Sequence, residues 1–93
     1  MVLIVADEPV AREVYGELFA MRGYDVVLAR GARDSLRAAR NRRIAVVVLA
    51  MATGATQLRR QLTTLRPQLR VHVTGLLSLS FDMLAPLARQ QLH

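Results

Sequence analysis

The 93-residue chain has no cysteine, which excludes a disulfide framework and any thiolate metal site and suits a reducing cytoplasm. It also has no lysine. All thirteen basic residues are arginine, so no chemistry that needs a lysine amine is open to it. Aromatic residues make up only 4%, leaving few rings on which bases could stack. The longest charge-free stretch, between Arg43 and Arg59, is broken by threonine and glycine, and nothing in the sequence is long and apolar enough for a membrane span. Met1 to Val5 is too short for a secretory core and has no basic residues ahead of it. No internal repeat, low-complexity tract or linker divides the chain. These absences predict a cytoplasmic protein without membrane association.

What is present is the composition of a folded protein, 53% hydrophobic and 22% charged, in one domain over residues 1–93 with one core. Val2 to Val5 reads as a short buried strand. Asp7-Glu8-Pro9 then offers an acidic cap and a proline suited to a first helical turn. Val10, Val14, Leu18 and Met21 recur at helical spacing and predict the inner stripe of a helix that Gly23 ends. The methionines read as core filler. Asp25 to Ala29 is a second strand, and Ala32 to about Arg40 a short helix with Arg33, Arg37 and Arg40 on one face. Ile44 to Leu49 is a third strand. Leu58, Leu62 and Leu65 mark the inner stripe of a helix that Pro67 ends. Val71, Val73 and Leu76 to Leu79 are expected to be extended, followed by a last helix from about Ser80 or Phe81 to Leu92. Strands and helices alternating at these lengths predict βαβ units and a small doubly wound α/β domain with about four parallel strands.

The stretch "VLIVADEPVAREVYGELFAMRGYDVVLARGARDSL", residues 2–36, followed by "IAVVVLA", resembles the receiver domain of response regulators. The likeness spans roughly residues 2–74, and forty-three positions separate Asp7 from Ala50, close to the family's spacing. What it implies is a flavodoxin-like sheet with a phosphorylation site at the strand ends. Two neighbouring acids after the first strand would help hold Mg²⁺; here Ala6 and Asp7 fill those positions. The phosphoacceptor aspartate is replaced by Ala50, whose methyl group neither attacks phosphorus nor ligates a cation. The switch hydroxyl has its match in Thr74. The phosphate-neutralising lysine cannot be present, and Leu79 stands nearest to its place if "LLSLSFD" is similar to the family's closing segment. Only Gly75 to Ser80 lie between Thr74 and Phe81, too few for another parallel crossover. The domain is therefore expected to be shortened at its C-terminal end, with four strands and four helices.

Several residues carry two readings. Asp7 and Glu8 serve either as helix cap and dipole partner or as residual cation ligands. Thr74 is either a plain strand former or the switch. His72, with no second histidine, cysteine or spaced acid, reads as structural. Arg30, Arg33, Arg37, Arg40, Arg42 and Arg43 face only Asp34 and form a solvated face, a docking surface for an acidic protein, or a phosphate-tracking patch.

The function expected is a phosphorylation-independent pseudo-receiver, neither catalytic nor cofactor-dependent. It would act as a protein-interaction or dimerisation module in bacterial two-component signalling or transcriptional control. An open sheet edge around Val71 to Leu79 and an apolar helix carrying Phe81, Leu84 and Leu87 would favour a homodimer. One alternative is a small nucleic-acid-binding protein using Arg33, Arg37 and Arg40. Another is a receiver with residual Mg²⁺-dependent phosphoryl chemistry.

Overall fold

The computed structural model describes residues 1–74, which form four strands and three helices: β1 (Val2–Ala6), α1 (Pro9–Met21), β2 (Val26–Ala29), α2 (Ala32–Ala38), β3 (Val46–Ala50), α3 (Ala55–Leu65) and β4 (Arg70–Val73). The expected extended segment Leu76 to Leu79, and the last helix with Phe81, Leu84 and Leu87, lie outside the described residues.

The strands make one parallel sheet in the order β2-β1-β3-β4. β1 and β3 are central, and all ten of their residues are buried. That is why both sequences are uninterrupted apolar runs: each has a face to cover on either side. Even-numbered residues of β1 and β3 pack with Tyr15 and Phe19 of α1, and odd-numbered ones pack with Leu58 and Leu62 of α3. The helices therefore lie on opposite faces, α1 on one and α2 and α3 on the other.

α1 starts where the sequence indicates. Glu8 is extended and its Oε2 accepts the Ala11 N–H at 2.7 Å, with Pro9 opening the helix. Gly23 ends it at φ +88°, a left-handed conformation that a side chain would strain. The inner stripe, however, differs from the one expected. Val10, Val14 and Met21 are 65%, 45% and 82% exposed, while Tyr15, Gly16 and Phe19 are buried and Ala11 and Leu18 pack against them. Met21 is accordingly not core filler. The reason lies at Gly16, where a Cβ would stand 3.0 Å from Leu28 Cδ2. Only the glycine side of the helix can approach β2 this closely, so that side turns inward. Phe19 then meets Tyr24 edge-on, with ring centroids 5.6 Å apart.

Further readings shift, and β3 runs Val46–Ala50 rather than Ile44 to Leu49. α2 stops at Ala38 rather than near Arg40, because Asn41 begins a turn: its Oδ1 accepts the Arg43 N–H at 3.0 Å and its carbonyl accepts the Ile44 N–H. In α3, Leu58 and Leu62 are buried as expected, but Leu65 is 41% exposed, since the helix ends there beyond the sheet's cover. Among the described residues no helix is long and apolar enough to cross a membrane.

Candidate functional site

The carboxyl ends of β1, β3 and β4 come together at one edge of the sheet, where ligands bind in open parallel α/β folds. Ala6 pairs in register with Ala50. Thr74, one residue past β4, donates its N–H to the Leu49 carbonyl at 2.9 Å and so lies alongside Ala50. Ala6 and Ala50 are fully buried and Thr74 nearly so. The structure brings these three positions side by side. At these three positions the side chains are two methyl groups and a threonine.

Asp7 and Glu8 are both exposed. The carboxylate of Glu8 is spent on capping α1, and its carbonyl accepts the Arg12 N–H at 3.0 Å. Arg12 was not among the expected site residues. Its guanidinium folds back from the first turn of α1 and donates to the Ala6 carbonyl at 2.9 Å. A signal existed: a cation in the first turn of a helix opposes the macrodipole, so it needs a local acceptor.

The resemblance to receiver domains implies a divalent cation at this edge, and the described residues do not fit one. Among the described residues no three His, Asp or Glu side chains gather. The positions next to Asp7 that would supply oxygen are alanines, and the Arg12 guanidinium already puts a positive charge on the Ala6 carbonyl. Mg²⁺ takes six oxygens, several of them waters and one or two of them carboxylate, and here the Glu8 carboxylate is occupied by the cap of α1.

The second candidate surface is the arginine cluster. Arg33, Arg37 and Arg40 are exposed and line one shallow depression with Leu36, as the helical spacing predicts. Beside it, between α2 and α3, runs a groove of about 420 Å³ bounded by Leu36, Arg40, Arg60, Gln61, Thr64 and Leu65. A contiguous depression continues past Arg42, Pro67 and Gln68. Arg66 holds this region in shape. Its Nη1 donates to the carbonyls of Ala39, Asn41 and Ile44 at 3.0, 2.9 and 2.8 Å. No local pattern announces that role, because the partners are 22 to 27 residues away.

His72 lies on β4 opposite Val48. Burial pushes its imidazole pKa below 6.5, and the charges of Arg59 and Arg70 lower it further. Burial also raises the phenol of Tyr15, and that of Tyr24, the latter against an opposing effect of Arg22.

No family model and no curated protein matches the chain. Among solved structures, the receiver domain from the hybrid histidine kinase CckA is similar with a TM-score of 0.75 at 21% identity, covering 99% of this chain and 98% of that one. The fold is that of a receiver domain, a four-stranded parallel flavodoxin-like sheet in its described part.

Proposed function

We propose that the chain is a pseudo-receiver, a protein-interaction module of signalling or transcriptional control that works without phosphorylation and catalyses nothing. The observation that carries this reading is Ala50, a fully buried methyl at the carboxyl end of a central strand, where a receiver would keep its nucleophile. Ala6 beside it and the Arg12 guanidinium on the Ala6 carbonyl support it. With no nucleophile at position 50 and no fitting cation site among the described residues, the scaffold is left with its surfaces.

The test is mass spectrometry of the intact chain after incubation with Mg²⁺ and a small-molecule phosphodonor. The mass is expected to stay unchanged. A phosphoryl-sized increment, stable in mild acid and lost in hydroxylamine, would overturn the reading. Ala50→Asp is expected not to restore rapid phosphorylation, since Ala6 and Arg12 still disfavour the metal; fast Mg²⁺-dependent labelling of that variant would show that the site is intact in all but one residue.

Self-association belongs to the same proposal. If the apolar residues Phe81, Leu84 and Leu87 form the dimer contact, Leu84→Glu lowers the sedimenting mass from dimer to monomer or causes aggregation. An unchanged mass and unchanged solubility would count against a contact there.

A further inference from the structure

Two surface features have no partner among the described residues. The first is the outer stripe of α1. Val10, Glu13, Val14, Glu17 and Met21 fall in a sector about 100° wide at 3.6 residues per turn, and all five are exposed. This is an acidic amphipathic surface that shows its apolar side to solvent, where a surface helix normally turns that side inward. The second is the groove between α2 and α3. Leu36 and the exposed Leu65 give it an apolar floor, and Arg40 and Arg60 stand on its two walls, with Arg37 and Arg33 on the outer side of α2. Each feature supplies what the other lacks: aliphatic side chains between carboxylates on one, aliphatic side chains between guanidiniums on the other.

They cannot meet in one molecule, because α1 covers one face of the sheet while α2 and α3 cover the other. We infer that α1 of one copy docks into the α2–α3 groove of a second copy, head to tail. The lengths agree. α1 has 13 residues and α3 has 11, which at 1.5 Å per residue is about 20 Å laid along about 16 Å. Recognition is of the helix-in-groove kind, with Val10, Val14 and Met21 as anchors at helical spacing and Glu13 and Glu17 reaching the arginine walls. The two surfaces differ, so the contact is heterologous. Each bound copy presents a free groove at one end and a free α1 at the other, and association continues beyond a dimer until a ring closes. Nucleic acid in the groove is the less favoured occupant, because an apolar floor has nothing to offer a phosphate backbone and, among the described residues, no aromatic ring lines it.

The inference rests on the interaction-module reading and names its partner as this same chain. It is tested by sedimentation of the full chain and of two variants, each carrying one dead surface: Val14→Gln with Glu17→Gln on the stripe, and Arg60→Gln with Leu65→Gln in the groove. All four sites are exposed, and circular dichroism checks that the fold is kept. The parent chain is expected to pass beyond a dimer as concentration rises at low salt, and to lose that growth in 0.5 M salt, where the Debye length is roughly 4–5 Å. Each variant alone loses self-association by about tenfold or more. Mixed one to one, they form a discrete heterodimer that grows no further, because only one stripe and one groove survive. The single charge-neutral changes Glu17→Gln and Arg60→Gln weaken association in the same direction and keep the result readable if a double variant misfolds. A parent chain that stays monomeric at several hundred micromolar, or variants that keep their self-association, would overturn the inference. So would a mixture that does not associate. None of these outcomes touches the phosphodonor result, so failure of the docking and failure of the pseudo-receiver reading show up in different experiments.

Discussion

One guanidinium, that of Arg66, gathers the carbonyls of Ala39, Asn41 and Ile44 between the end of α2 and β3, the Asn41 carbonyl being shared with the Ile44 N–H. Charged hydrogen bonds to such groups contribute about 1.5–3 kcal/mol where buried, less where water competes, so Arg66→Ala is expected to cost about 2 kcal/mol in urea denaturation. Arg66→Lys should recover less than half of that, because an ammonium lacks the planar fork that reaches several acceptors. Equal stability of parent and Arg66→Ala would show that water replaces the clamp. His72 makes a second prediction at this scale. Its folded pKa lies below the unfolded value of 6.5, with burial the main cause and Arg59 and Arg70 adding to it. The unfolded chain therefore binds a proton first as pH falls. The stability associated with neutral His72 is fully present above pH 6.5 and is lost as pH falls through the lower folded value. The drop in denaturation midpoint between pH 7.5 and pH 5 should be smaller in His72→Gln than in the parent; an identical drop would place the pH dependence on other groups. At this scale the sequence told part of the story. The place of Ala50 at the carboxyl end of a central strand is legible from the apolar run that it closes, whereas Arg12 and Arg66 act on backbone carbonyls, which no residue pattern records.

At the level of elements, α1 was legible in its ends and not in its rotation. Glu8, Pro9 and Gly23 are local signals and set the boundaries. Two apolar stripes were available, one through Val10, Val14 and Met21 and one through Ala11, Tyr15, Leu18 and Phe19. Valines at regular spacing look like the better core, but which stripe turns inward depends on how near the helix can come to β2, and that is decided by Gly16 against Leu28. This contact gives its own prediction. In Gly16→Ala the new methyl meets the far end of a flexible, half-exposed leucine, which can move aside, while the helix interior gains up to about 1 kcal/mol in propensity. The variant is expected to be slightly more stable than the parent, and the full gain should appear when Leu28→Ala is added. Gly16→Val leaves no such escape and should lower the midpoint. A destabilised Gly16→Ala would mean that Leu28 is held fast. The strands were easier to read: β1 and β3 carry unbroken apolar runs because both faces are covered, and a parallel sheet follows from that pattern with helices between.

For the whole molecule, charge is the feature that composition alone conceals. Residues 1–25 carry five carboxylates and two arginines, while residues 26–74 carry one carboxylate and ten arginines, and the fold puts α1 and the α2–α3 pair on opposite faces of the sheet. The net +6 is thus the remainder of a strongly polarised body. Retention on DNA is expected to be weak and to vanish at modest salt, because a patch that meets phosphates only through counterion release loses affinity steeply with ionic strength. Sequence-selective binding that survives physiological salt would instead favour a nucleic-acid partner. The order β2-β1-β3-β4 has a separate consequence during synthesis. β1 is made first yet sits in the middle, so one of its edges waits for β3, whose first residue comes forty positions after Ala6. At about 5–20 residues per second that wait is roughly 2–8 s. For that time the nascent chain displays Val2-Leu3-Ile4-Val5-Ala6, charge-free and strongly strand-forming, with one row of N–H and C=O groups unpaired, the kind of segment that seeds aggregation. A fragment stopped after Arg43 should therefore precipitate where the full chain stays in solution.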